Sequence, residues 1–102
     1  MKFETRAIHV GEGPNLKEGA SGDVVIPIHL SSTFARKRVD QPTGGYEYSR
    51  TGNPTRNALE ERLASLEEAR FGLAFASGMA AETTLALTLL EGGDHLIAFD
   101  DL

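Results

Sequence analysis

An α/β fold led in by an extended arm is what this sequence predicts, on three observations. Gly and Pro break the first half with no sustained period, a strong amphipathic helix pattern opens at Asn53, and an apolar run, a helical pattern and a second apolar run follow it. Strand, helix and strand in that order make a βαβ unit, whose right-handed crossover places two parallel strands in one sheet.

In residues 1–52 the breakers are Gly11, Gly13, Pro14, Gly19, Gly22, Pro27, Gly44 and Gly45. Only residues 24–30 have the composition of a strand, and Pro27, lacking an N–H for a ladder, suits them to an edge or an extended arm. So long a stretch without its own core is expected to lie across something else, and an intersubunit arm is the natural resolution.

The α/β domain is expected to start within residues 53–102. Asn53 can cap a helix, and Pro54 at its first position gives up an N–H that would be unpaired anyway. Leu59, Leu63 and Leu66 recur at i, i+4 and i+7, with Ala69 beyond, while Glu60, Glu61, Arg62, Glu67 and Glu68 cover most of the other face. Gly72 is read as the stop signal. Residues 73–76 read as a short buried strand, 79–90 as a helix apolar around much of its circumference, 91–94 as a turn and 95–99 as a second strand.

Composition narrows the chemistry. The chain has 102 residues, a net charge of −5 and no block of like charges, so a nucleic-acid surface is not indicated. With no cysteine, these residues hold no disulfide, thiolate zinc site or thiol nucleophile. His9, His29 and His95 are scattered, and no metal site is expected. The polar start and the lack of a long apolar run make a cytoplasmic protein the expectation, without membrane or nucleic-acid partners.

Two segments carry chemistry. In Tyr48-Ser49-Arg50-Thr51-Gly52-Asn53-Pro54-Thr55, a phenol and a guanidinium flank one small residue, and both suit the oxygens of a phosphate. Taken alone, such a pair is more often an ordinary surface loop. In Ser77-Gly78-Met79-Ala80-Ala81, a glycine after an apolar run opens a helical pattern, so backbone N–H groups and the helix dipole can face an anion. A capped helix start explains the same residues, and both readings hold together. Neither a G-x-G-x-x-G at this turn nor a G-x-x-x-x-G-K-[ST] anywhere points to a nucleotide. Asn53, Pro54 and Thr55 are read as structural.

Together these strings resemble those of the Cys/Met-metabolism group of pyridoxal-phosphate enzymes, which includes the cystathionine gamma-synthases, cystathionine gamma-lyases and methionine gamma-lyases. The resemblance runs from about Thr5 to Leu102 and covers the N-terminal portion of what such proteins possess, so the chain is expected to be a fragment. It implies the N-terminal arm and the start of the large domain of a fold-type-I transferase. It also implies pyridoxal 5'-phosphate as cofactor, with the phosphate bound by Tyr48 and Arg50 of one chain and by the Gly78 and Met79 amides of its neighbour. A homo-oligomer, a tetramer by resemblance, follows, as does a small amino-acid substrate. Where the family often has tyrosine, this chain has His29. Asp100-Asp101 reads more readily as exposed loop acids than as a metal-binding carboxylate pair; by the resemblance, Asp100-Asp101-Leu102 matches the approach to a ring-stacking aromatic and leans weakly towards the cystathionine and methionine group.

The reaction implied for a complete protein is β- or γ-elimination, or γ-replacement, on a sulfur-containing or O-acylated amino acid. Such catalysis needs a lysine to hold the cofactor as a Schiff base. The lysines here, Lys2, Lys17 and Lys37, are not in the family's context, so no catalytic residue is assigned and these residues alone are expected to be inactive. A noncatalytic phosphate-binding or dimerisation module and an inactive truncated product are the alternatives.

Overall fold

The computed structural model describes residues 1–18 and 20–100. Gly19, and Asp101 and Leu102 of the acidic ending, lie outside the described residues. Three helices dominate: α1 (Phe3–His9), α2 (Pro54–Leu66) and α3 (Gly78–Leu89). Between α1 and α2 a two-stranded antiparallel ribbon, β1 (Arg36–Arg38) and β2 (Gln41–Pro42), leads into a single 3-10 turn at Thr43–Gly45.

The start of α2 forms as its sequence dictates. The Asn53 side chain accepts hydrogen bonds from the N–H groups of Thr55 at 2.9 Å and Arg56 at 3.4 Å, with Pro54 at the first helical position. The cap also fastens the preceding chain. Asn53 Nδ2 donates to the His29 carbonyl at 3.0 Å, and Thr55 Oγ1 accepts from the His29 N–H at 2.9 Å and donates to the Pro27 carbonyl at 3.2 Å. Tied to this cap through Pro27 and His29, the 24–30 segment runs as an extended arm and joins no strand among the described residues. Asn53→Ala is expected to cost about 1–2 kcal/mol, measurable as a lower urea midpoint for the natural protein carrying these residues.

The other end of α2 departs from expectation. The helix stops at Leu66, before Gly72, in a motif that uses glutamate where glycine is usual. Glu68 takes a left-handed φ of 56°, its N–H donates to the Ser65 carbonyl at 3.3 Å, and the Ala69 N–H reaches the Ala64 carbonyl at 2.8 Å. These two bonds are the 5→2 and 6→1 pair of a Schellman end. Gly72 serves close approach: a Cβ there would lie 2.5 Å from the Glu60 carbonyl oxygen. The chain thereby descends onto α2, and the Ala74 N–H donates to Glu60 Oε1 at 3.0 Å.

Packing on α2 also differs from the predicted leucine stripe. Ala58 and Ala64 are its buried residues, whereas Leu59 and Leu63 are each 49% exposed. Small residues win because backbone must pass close on two sides, with Gly72 on one and Gly11 on the other. α1 crosses α2 through polar ties: Arg6 Nη1 donates to the Ser65 carbonyl at 2.6 Å, and Arg62 pairs with Glu12 at 2.6 Å while Nε donates to the Val10 carbonyl at 3.0 Å. The first nine residues thus contain a helix that no periodicity announced.

α3 forms, capped by Ser77, but the flanking strands expected at 73–76 and 95–99 are not strands among the described residues. A strand exists only within a ladder, and neither segment has a ladder partner here. The βαβ unit is therefore represented by its helix, with Leu96 and Ile97 facing Leu85 and Leu89 across an apolar groove of about 290 Å³.

Much apolar surface is open. The accessible area is 8792 Å², against about 5,600 Å² for a compact monomer of this mass. The radius of gyration is 17.6 Å, against about 13 Å for a compact domain of this length. Val24, Val25, Ile28, Leu30, Leu96, Ile97 and Phe99 are among the exposed side chains. These residues follow a definite course without closing a core of their own.

Candidate functional site

The Tyr48 loop is pinned on both sides. Tyr48 bridges Thr33, the Ser49 N–H donates to the Ser32 carbonyl at 2.8 Å, and the Phe34 N–H donates to the Glu47 carbonyl at 3.0 Å. A tight turn follows, in which the Tyr48 carbonyl accepts from the Thr51 N–H and Gly52 N–H at 3.0 Å and from Thr51 Oγ1 at 2.8 Å. The turn sets the residues at 48 and 50 side by side: Arg50 Nη2 donates to the Tyr48 hydroxyl at 3.3 Å, and the guanidinium carbon sits 5.1 Å from the Tyr48 ring centre.

The two tyrosines have different surroundings. Tyr46 packs on Phe34 with ring centres 5.6 Å apart, and its hydroxyl accepts from Asn57 Nδ2 at 3.2 Å. Tyr48 is exposed, and among the described residues its hydroxyl bonds only the Arg50 guanidinium. Arg6, Arg36, Arg56 and Arg62 all have carboxylate partners. Arg50, like Arg38 and Arg70, has none among the described residues, which leaves its fork open towards an external anion.

At the start of α3, Ser77 Oγ accepts from the Ala80 N–H at 3.1 Å, and the Ala81 N–H bonds the Ser77 carbonyl at 3.2 Å. The amides of Gly78 and Met79 come before the first helical bond and meet no acceptor among the described residues. A Cβ at Gly78 would meet nothing within 4 Å, so the approach to these amides is open.

Each half is therefore assembled within itself, and no hydrogen bond or ion pair among the described residues joins Tyr48 or Arg50 to Gly78 or Met79. All four groups are donors with no carboxylate among them, a set suited to a dianion. Sequence reasoning missed Arg56 and Glu60. Arg56 Nη1 donates to the carbonyls of Ser49 at 3.0 Å and Arg50 at 3.4 Å, and its Nε lies 3.6 Å from Glu60. Their i, i+4 spacing was legible, but it ordinarily signals only a surface pair.

Residues 4–102 match the Cys/Met metabolism PLP-dependent enzyme family. The chain belongs to that family. The chain is 54% identical over 100 residues to a probable cystathionine gamma-synthase of Herpetosiphon aurantiacus, covering 98% of this chain and 30% of that protein. It is 50% identical over 100 residues to the cystathionine gamma-lyase of Bos taurus, covering 98% of this chain and 24% of the other. The crystal structure of metB from Corynebacterium glutamicum superposes with a TM-score of 0.85 at 44% identity, over 93% of this chain and 24% of that one.

Membership in this family makes pyridoxal phosphate the cofactor. The donor set fits its phosphate: a guanidinium without a carboxylate, a phenol beside it, and two unengaged amides at a capped helix start. The family is a transsulfuration family, and the chain spans 30% and 24% of the length of these two curated relatives. Among the described residues, no helix is long and apolar enough to cross a membrane.

Proposed function

We propose that these residues are the N-terminal, phosphate-anchoring part of a pyridoxal-phosphate-dependent transsulfuration enzyme, acting by β- or γ-elimination or γ-replacement on sulfur-containing or O-acylated amino acids. The observation that carries this is the open Arg50 guanidinium held on the Tyr48 hydroxyl. Tyr48 and Arg50 of one copy and the Gly78 and Met79 amides of another hold the phosphate, in a cytoplasmic homo-oligomer over whose surface residues 1–52 extend. Total accessible surface in excess of a compact monomer's, with many large apolar side chains exposed, supports such burial. The ladder partners for 73–76 and 95–99 are supplied by chain beyond these residues.

When bound, the cofactor supplies an electron sink for electrons released at the amino-acid carbon. The chain's own residues orient it. A phosphate held by a two-donor fork and two fixed amides loses its freedom to rotate, so the reacting groups meet already aligned. The lysines sit away from this work: Lys2 precedes α1, Lys17 lies in a loop and Lys37 is in β1. Accordingly, residues 1–102 alone are expected to show no turnover.

Gly78→Pro isolates one amide. Proline is tolerated at the first helical position, and Ser77 already has the extended backbone a following proline requires (φ −158°, ψ 162°). The natural protein carrying this change is expected to keep its melting temperature without cofactor and to lose about tenfold in cofactor affinity.

The decisive experiment is the intact mass of the natural gene product, with turnover assayed on an O-acylated amino acid plus a thiol and on a thioether amino acid. A much larger product that turns over either substrate supports the enzyme. A product of 11.0 kDa that binds the cofactor without turnover favours the noncatalytic phosphate-binding module, which the lysine placement recommends as the second reading.

A further inference from the structure

We infer that Arg56 and Glu60 are positioning residues that hold the two halves of the phosphate grip in register through α2. The inference rests on the phosphate reading above. Arg56 reaches back from the first turn of α2 to the carbonyls of Ser49 and Arg50, at 3.0 and 3.4 Å, so it fixes the backbone from which the Arg50 fork projects. One turn later Glu60 reaches forward, and its Oε1 accepts from the Ala74 N–H at 3.0 Å. That contact anchors the segment ending at Ser77 and the Gly78 and Met79 amides. The two side chains meet at 3.6 Å, closing a path from one half to the other.

Three features separate this pair from an ordinary surface ion pair. Its side chains are 31% and 19% exposed, so both are largely withdrawn from water. Each spends hydrogen bonds on backbone of an irregular segment, where no ladder would otherwise fix position. Gly72 is the third: without the close pass over Glu60 that its missing Cβ permits, Ala74 would not come within reach. Arginine suits the first position because a planar fork can serve two carbonyls and a carboxylate together, which a lysine point charge cannot. In an oligomer with shared sites, the pair would tie the helix holding one copy's cofactor to the loop serving its neighbour's.

The test is a titration of pyridoxal phosphate into cofactor-free natural protein for wild type, Arg50→Ala, Arg56→Gln and the double variant, with melting temperatures of the cofactor-free forms. Arg56→Gln is expected to weaken affinity about tenfold, and adding it to Arg50→Ala is expected to cost under about twofold more, because the fork it positions is gone. Should Arg56→Gln fail to fold, Glu60→Gln replaces it. That change keeps the acceptor for Ala74 and removes the charge, with an expected loss of about threefold. Melting temperatures that fall with affinity unchanged, or losses that multiply independently in the double variant, overturn the positioning role. If Arg50→Ala weakens binding while neither Arg56→Gln nor Glu60→Gln does, positioning fails and the phosphate site stands. Unchanged affinity in Arg50→Ala overturns both.

Discussion

Arg50→Ala in the natural protein is expected to weaken pyridoxal phosphate binding by about 10- to 100-fold, the range for losing charge-assisted hydrogen bonds, while leaving the cofactor-free melting temperature unchanged. The asymmetry follows from what Arg50 touches. Its side chain is exposed and, among the described residues, pairs with no carboxylate and bonds only the Tyr48 hydroxyl, so folding asks little of it. A ligand phosphate asks everything. Tyr48→Phe should produce a smaller loss of the same kind, since it removes one neutral donor and keeps the ring beneath the guanidinium. Cofactor absorbance on titration checks both, and equal affinities would remove the assignment.

Gly11→Ala is expected to be the most destabilising single substitution in the N-terminal segment, at about 3 kcal/mol or more. Two costs combine there. The residue has φ +77°, and an added Cβ would lie 2.3 Å from the Ala58 carbonyl oxygen, a backbone atom inside α2 that cannot swing away. Relief requires the chain to lift from α2, which strains the Arg62 bonds to Val10 and Glu12 and loosens α1. Gly13→Ala is the control, because a Cβ there meets nothing within 4 Å. Thermal unfolding should separate the two clearly, and faster proteolysis near residues 3–9 should accompany Gly11→Ala alone.

The helix starts were legible because a cap is local. Asn53 with Pro54, and Ser77 before Gly78, each satisfy N–H groups within a few residues, and both helices begin where those signals lie. At Tyr48 the sequence offered the two residue types in one loop, and the turn that draws Tyr48 and Arg50 together came from the structure alone. What failed depended on distant partners. Residues 73–76 and 95–99 have strand composition, but a ladder takes two segments, and composition does not say whether the second is present. Leu59 and Leu63 have the spacing of a core stripe, yet Ala58 and Ala64 take the burial because glycine-borne backbone passes over them. The end of α2 was misread because glutamate at Glu68 adopts the conformation usually signalled by glycine. Arg56 and Glu60 escaped notice since their targets are backbone groups of irregular segments, which leave no pattern in side-chain identity.

Subunit mixing tests the central claim, that these residues supply two half-sites completed by another copy, most directly. Natural protein carrying Arg50→Ala and natural protein carrying Gly78→Pro are dissociated together, reassociated and titrated with pyridoxal phosphate. Each variant alone should bind weakly. In a mixed pair one site collects both substitutions and the other collects neither, so about a quarter of all sites should regain wild-type affinity. A mixture that binds no better than its parents would place both halves of the grip in a single chain and contradict the shared site.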